Sequence, residues 1–133
     1  MKLRSLLFAV VLAIVILPFN ACNPEIPDIA NALIHYGLKS DGTYEVYATA
    51  SSDLEHLVIP AYYLGERVTS IRKFGFQGFP FLTSVTLPDT LTSIGDSAFA
   101  YCRELTTITI PESVKTIGSS AFLHCGKLSS ITI

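Results

Sequence analysis

The chain has 133 residues, 50% of them hydrophobic and only 15% charged, with a formal net charge of −2. That length holds one small domain and excludes a multidomain enzyme. With no basic surplus to neutralise phosphates, the composition argues against a nucleic-acid partner, and it is too apolar for a disordered tail.

Much of the apolar excess lies at the start. Lys2 and Arg4 precede an uninterrupted apolar run from Leu6 to Leu17, which Pro18 ends. Twelve apolar residues are too few to span a bilayer comfortably, so residues 1–21 read as a signal peptide, with an uncleaved anchor as the alternative. Ala21 suits position −1 of a cleavage site, whereas Phe19 is a poor residue at −3. The Ala21–Cys22 step resembles a bacterial lipobox, in which Cys22 becomes the lipidated mature N-terminus. It departs from that pattern in Phe19 and Asn20, and a secreted chain with a free Cys22 is the alternative. A lipid on Cys22 implies an exported protein held to a membrane, at the cell surface or in the periplasm. Without residues 1–21 the chain keeps 112 residues, and its nine basic residues fall to seven against eleven acids, a net charge of −4. Residues 22–31, with Pro24 and Pro27, read as an extended tether.

Residues 32–53 predict a β-hairpin, because alternating runs flank Asp41-Gly42. A two-residue loop opposes Leu38 to Glu45. A three-residue loop, Ser40-Asp41-Gly42, instead pairs Leu38 with Tyr44, Tyr36 with Val46 and Ile34 with Ala48. The second register keeps apolar residues together and puts Gly42 in a left-handed bulge. The apolar face of this hairpin is expected to cap the segment that follows.

Residues 54–133 are repetitive. Leu82-Thr-Ser-Val85-Thr-Leu87-Pro88 recurs as Leu105-Thr-Thr-Ile108-Thr-Ile110-Pro111 and as Leu128-Ser-Ser-Ile131-Thr-Ile133, at a period of 23 residues. Within the period, Leu91, Ile94, Gly95, Ala98, Phe99 and Cys102 match Val114, Ile117, Gly118, Ala121, Phe122 and Cys125. A divergent copy comes first. Its Leu54, Leu57, Ile59 and Pro60 are offset by 28 residues and its Ile71 and Phe76 by 23, so five extra residues fall between Pro60 and Val68 and should protrude. The copies are bounded as 54–81, 82–104, 105–127 and a partial 128–133. A fixed period of this size marks a solenoid. The L-x-x-I-x-I run alternates as a short strand with one face inward, and Pro ends it. The I-G-x-x-A-F-x-x-C half turns the chain back, with Ala permitting a tight coil and Phe filling the space between coils.

The segments LTSVTLPDTLTSIGDSAFAYC (Leu82–Cys102), LTTITIPESVKTIGSSAFLHC (Leu105–Cys125) and VIPAYYLGERVTSI (Val58–Ile71) resemble the BspA-like, or treponemal-type, leucine-rich repeats of bacterial and some protist surface proteins. The resemblance covers roughly residues 33–133. It implies a leucine-rich-repeat solenoid of the α/β-type class, with mostly short parallel β-strands and irregular or short helical returns. It also implies adhesion or protein binding at the cell surface, through a host matrix component or another surface protein, with no catalytic residues. The first copy departs at Arg72, where later copies carry Gly95 and Gly118. If that position needs a positive φ, the first coil must turn differently. Phe79 likewise stands for Cys102, and Gly75 for Ala98.

In such a coil the outward strand positions are His56 and Val58, Ser84 and Thr86, Thr107 and Thr109, and Ser130 and Thr132. They read as a neutral docking face, or simply as residues suited to exposed strands. Tyr62, Tyr63, Phe74 and Phe81 are candidates for an exposed aromatic patch that anchors an interface, or else pack against the hairpin. Cys102 and Cys125 share one core position and read as reduced thiols stacked in parallel. His124 beside Cys125 lacks the ligand spacing of a metal site. Nucleophile-elbow, zinc-helix and phosphate-loop patterns do not occur, and no cofactor is expected. Because the chain stops within a copy, its last strand is expected to be open, which fits truncation of a longer structural array with no binding activity of its own, or cover by a partner.

Overall fold

A computed structural model describes residues 33–49 and 53–133. The expected signal peptide, Cys22 and the tether lie outside these residues. No helix among the described residues is long and apolar enough to cross a membrane.

The described chain opens on β1 (Ile34–Leu38) and β2 (Tyr44–Ala48), paired antiparallel with Leu38 opposite Tyr44, Tyr36 opposite Val46 and Ile34 opposite Ala48. This is the register of the three-residue loop. Lys39 N–H donates to the Thr43 carbonyl at 2.8 Å, and Gly42 takes φ 81°. The Asp41 carboxylate accepts from the Thr43 hydroxyl at 2.6 Å and the Thr43 amide at 3.0 Å, with Lys39 Nζ 3.3 Å away. These hydrogen bonds, the hydroxyl first, hold its pKa down at about 2.

The coils follow as β3 (His56–Val58), β4 (Tyr62–Tyr63), β5 (Glu66–Ile71), β6 (Ser84–Thr86), β7 (Ser93–Ile94), β8 (Thr107–Thr109), β9 (Thr116–Ile117) and β10 (Ser130–Thr132). The L-x-x-I-x-I runs form one parallel sheet in the order β10-β8-β6-β3. The return half of each coil carries a second short strand, which the sequence pattern hides. These strands build a second sheet in the order β1-β2-β5-β7-β9, with β4 paired to β5. The hairpin thus caps the solenoid by adding β2 parallel to β5, with a register shift between Tyr44 and Glu45.

Helical returns do not form among the described residues. The chain turns instead through pairs of left-handed positions, Phe74, Ser97 and Ser120 at φ 59°, 52° and 58°, and Gly78, Tyr101 and His124 at 75°, 64° and 59°. A helix needs each N–H to reach four residues back. Here the amides of Phe74, Phe76 and Gly78 reach the next coil, at the carbonyls of Asp96, Ala98 and Ala100 (2.8–2.9 Å), and the pattern repeats one coil on. The five-residue insertion folds as a hairpin of β4 with the start of β5, turning on Leu64 (φ 51°) and Gly65 (φ 87°). Two consecutive left-handed residues are the mark of a type I′ turn.

The core is a column of like residues. Phe76, Phe99 and Phe122 stack with centroids 5.6 and 5.7 Å apart. Leu82 and Leu105 are fully buried, as are Leu91 and Phe99. Each fully buried Leu, Ile or Phe contributes roughly 1.5–3 kcal/mol. Burial falls away in the last coil, where Ile117 and Ile131 are each 45% exposed against 2% for Ile94 and Ile108.

The glycine position has a different basis from the one expected. Neither Gly95 nor Gly118 has a positive φ. A Cβ on Gly95 would lie 2.5 Å from the Lys73 amide nitrogen, and one on Gly118 2.4 Å from that of Asp96. The glycine is required because the preceding coil passes too close for a side chain. Arg72 escapes this limit because its neighbour is the hairpin, not a coil. Its N–H donates to the Val46 carbonyl at 3.0 Å, and its side chain lies outside, over the Tyr47 ring at 4.5 Å.

Candidate functional site

Strand pairing converts sequence spacing into rows. His56 stands opposite Ser84, Ser84 opposite Thr107, and Thr107 opposite Ser130. The second row runs through Val58, Thr86, Thr109 and Thr132. The intervening residues Leu57, Val85 and Ile108 point into the core, at 1%, 7% and 2% exposure. Period-two alternation therefore turns both rows outward. All eight positions are exposed except Ser84, which is half-buried. Their backbone is fixed by the ladder on one side and the core on the other, so the hydroxyls repeat at the ~4.8 Å spacing of adjacent strands.

The rows carry no formal charge when His56 is neutral. His56 Nδ1 and Ser84 Oγ are 2.8 Å apart, and Thr83 Oγ1 lies 3.4 Å from the same nitrogen. A third row, Thr83, Thr106 and Ser129, has a structural task that the sequence reading missed. Their hydroxyls donate to the carbonyls of Glu55, Thr83 and Thr106 in the preceding coil, at 2.8, 3.2 and 3.3 Å. The signal was present as a hydroxyl directly before the first outward residue of β6, β8 and β10.

The four aromatic candidates do not share one surface role. Tyr63 packs on the cap, stacked on Tyr36 at 3.8 Å and edge-on to Tyr44 at 5.1 Å. Burial, then the neighbouring Tyr63 phenol, pushes the Tyr36 pKa up to about 12. Tyr62, Phe74 and Phe81 are 57%, 50% and 52% exposed. Phe74 lies beside Lys73 Nζ at 5.0 Å.

Cys102 and Cys125 are free thiols. Each donates to a carbonyl of the preceding coil, Phe76 at 3.3 Å and Phe99 at 3.2 Å. Burial raises both pKa values, that of Cys102 to about 12. They are structural groups, with the thiol locked as a donor. His124 lies against Tyr101 at 4.9 Å. No group of three or more His, Cys, Asp or Glu side chains among the described residues is placed to hold a metal. The hairpin's outer face carries a feature not foreseen. Arg72 pairs with Glu45 at 3.0 Å, and His35 stacks on Tyr47 at 5.5 Å. Its signal was Arg72 standing where glycine recurs.

Comparison with known proteins matches this geometry to solved repeat structures. A leucine-rich cell surface protein of Faecalibacterium prausnitzii is 29% identical with a TM-score of 0.63, over 84% of this chain and 33% of that one. A leucine-rich repeat protein of Bacteroides ovatus is 33% identical with a TM-score of 0.67, over 84% and 30%. One from Bacteroides capillosus is 25% identical with a TM-score of 0.51, over 75% and 93%. The chain spans about a third of the length of the first two. No protein of curated function matches it significantly. The sequence model described as a BspA type leucine rich repeat region, of 6 copies, matches residues 44–133. The stacked coils and the matched repeats together place this chain in the BspA-type leucine-rich-repeat family.

Proposed function

We infer that this chain is a lipid-anchored surface module that binds a protein partner across the outward rows of the β3-β6-β8-β10 sheet. The observation that carries the reading is the alignment of outward hydroxyls at Ser84, Thr86, Thr107, Thr109, Ser130 and Thr132 on one parallel hydrogen-bonded sheet. A rigid face loses little entropy on binding. Its neutrality fits an uncharged stretch of partner, a host matrix component or another surface protein. The matched F. prausnitzii protein is a cell surface protein, which supports export. The Ala21–Cys22 step supports lipidation at Cys22 and a membrane-held location.

The reading is of a binding module, not an enzyme. His56 and Ser84 touch, but His56 lies open to water, and the one further side chain on the imidazole among the hydrogen bonds described, the Thr83 hydroxyl, approaches the same Nδ1 atom, so no carboxylate orients the ring. Hydrolytic catalysis needs that third group and an oxyanion site.

The test is binding of the purified chain to immobilised extracellular-matrix proteins, compared with Thr107→Glu/Thr109→Glu. Saturable binding lost in the double variant, with an unchanged circular dichroism spectrum, supports the face. Equal binding by the variant moves the site elsewhere. Metabolic labelling with a palmitate analogue tests the anchor, which Cys22→Ser must abolish.

A further inference from the structure

We draw no further inference here: the strongest candidate, the exposed apolar end of the last coil at Ile117, Ile131 and Ile133, is an unpartnered face, and nothing in the structure shows what covers it.

Discussion

Two glycines separate close approach from backbone conformation as the reason for a conserved-looking spacing. In Gly95→Ala the new methyl meets the Lys73 nitrogen at 2.5 Å and the Arg72 carbon and Ile71 oxygen at 2.8 Å. All three are backbone atoms, so no rotamer change relieves the clash. The coils would have to separate where Gly95 N–H donates to the Ile71 carbonyl at 2.9 Å. Overpacking of this kind costs about 1–3 kcal/mol, against about 0.4–1 kcal/mol gained by restricting the unfolded chain. Gly126→Ala meets nothing within 4 Å and has no positive φ, so only the gain remains. The two substitutions, chemically identical, should therefore move stability in opposite directions. For a domain of this size each 1 kcal/mol shifts the melting midpoint by roughly 4–8 °C. Urea and thermal denaturation followed by circular dichroism read both. Gly95→Ala as stable as the parent, or Gly126→Ala as damaged as Gly95→Ala, would refute the close-approach reasoning.

Phe99→Ala should cost about 3–5 kcal/mol in urea denaturation, because Phe99 is fully buried between two stacked rings. Phe122→Ala, with one stacking neighbour and partial exposure, should cost less; equal costs would contradict the column. With its pKa near 12, the Cys102 thiol should resist a disulfide reagent at pH 8 until the chain is unfolded, while the half-buried Cys125 reacts sooner. Tyr36 sets an alkaline limit on the cap. Its folded pKa of about 12 lies above the ordinary value of 10.0, so its contribution is complete below pH 10 and is lost as the pH rises through 12. Phenolate absorbance should show a late-titrating tyrosine that Tyr36→Phe removes. Asp41 makes the hairpin turn acid-sensitive, since its depressed pKa gives the turn support that is present above the usual carboxylate value and lost as the pH falls through about 2. Amide exchange in the Lys39–Thr43 turn should accelerate in that window, and in Asp41→Asn the acceleration should vanish.

The local rules were legible because they are local. The alternation in Leu105–Ile110 decides which side chains turn inward wherever the strand lies. The 23-residue period decides that Phe99 sits over Phe76. The apolar pairing across Asp41-Gly42 was enough to choose a loop length, and the observed register is the one it selects. Other features depend on distances between segments remote in sequence. Ser93–Ile94 and Thr116–Ile117 are too short to signal a strand by pattern, and become one only because a neighbouring coil supplies hydrogen-bond partners. Left-handed Ser97 and Tyr101 carry no mark in the sequence, since their conformation is stabilised by the bonds their amides make to Ser119 and Leu123 of the next coil. The fate of Tyr63 depended on where the cap came to rest. Gly95 shows the division most plainly. Its recurrence was visible in the sequence, but its reason was not, because a separation of 2.5 Å between a side-chain position and another coil exists only once the coils have stacked.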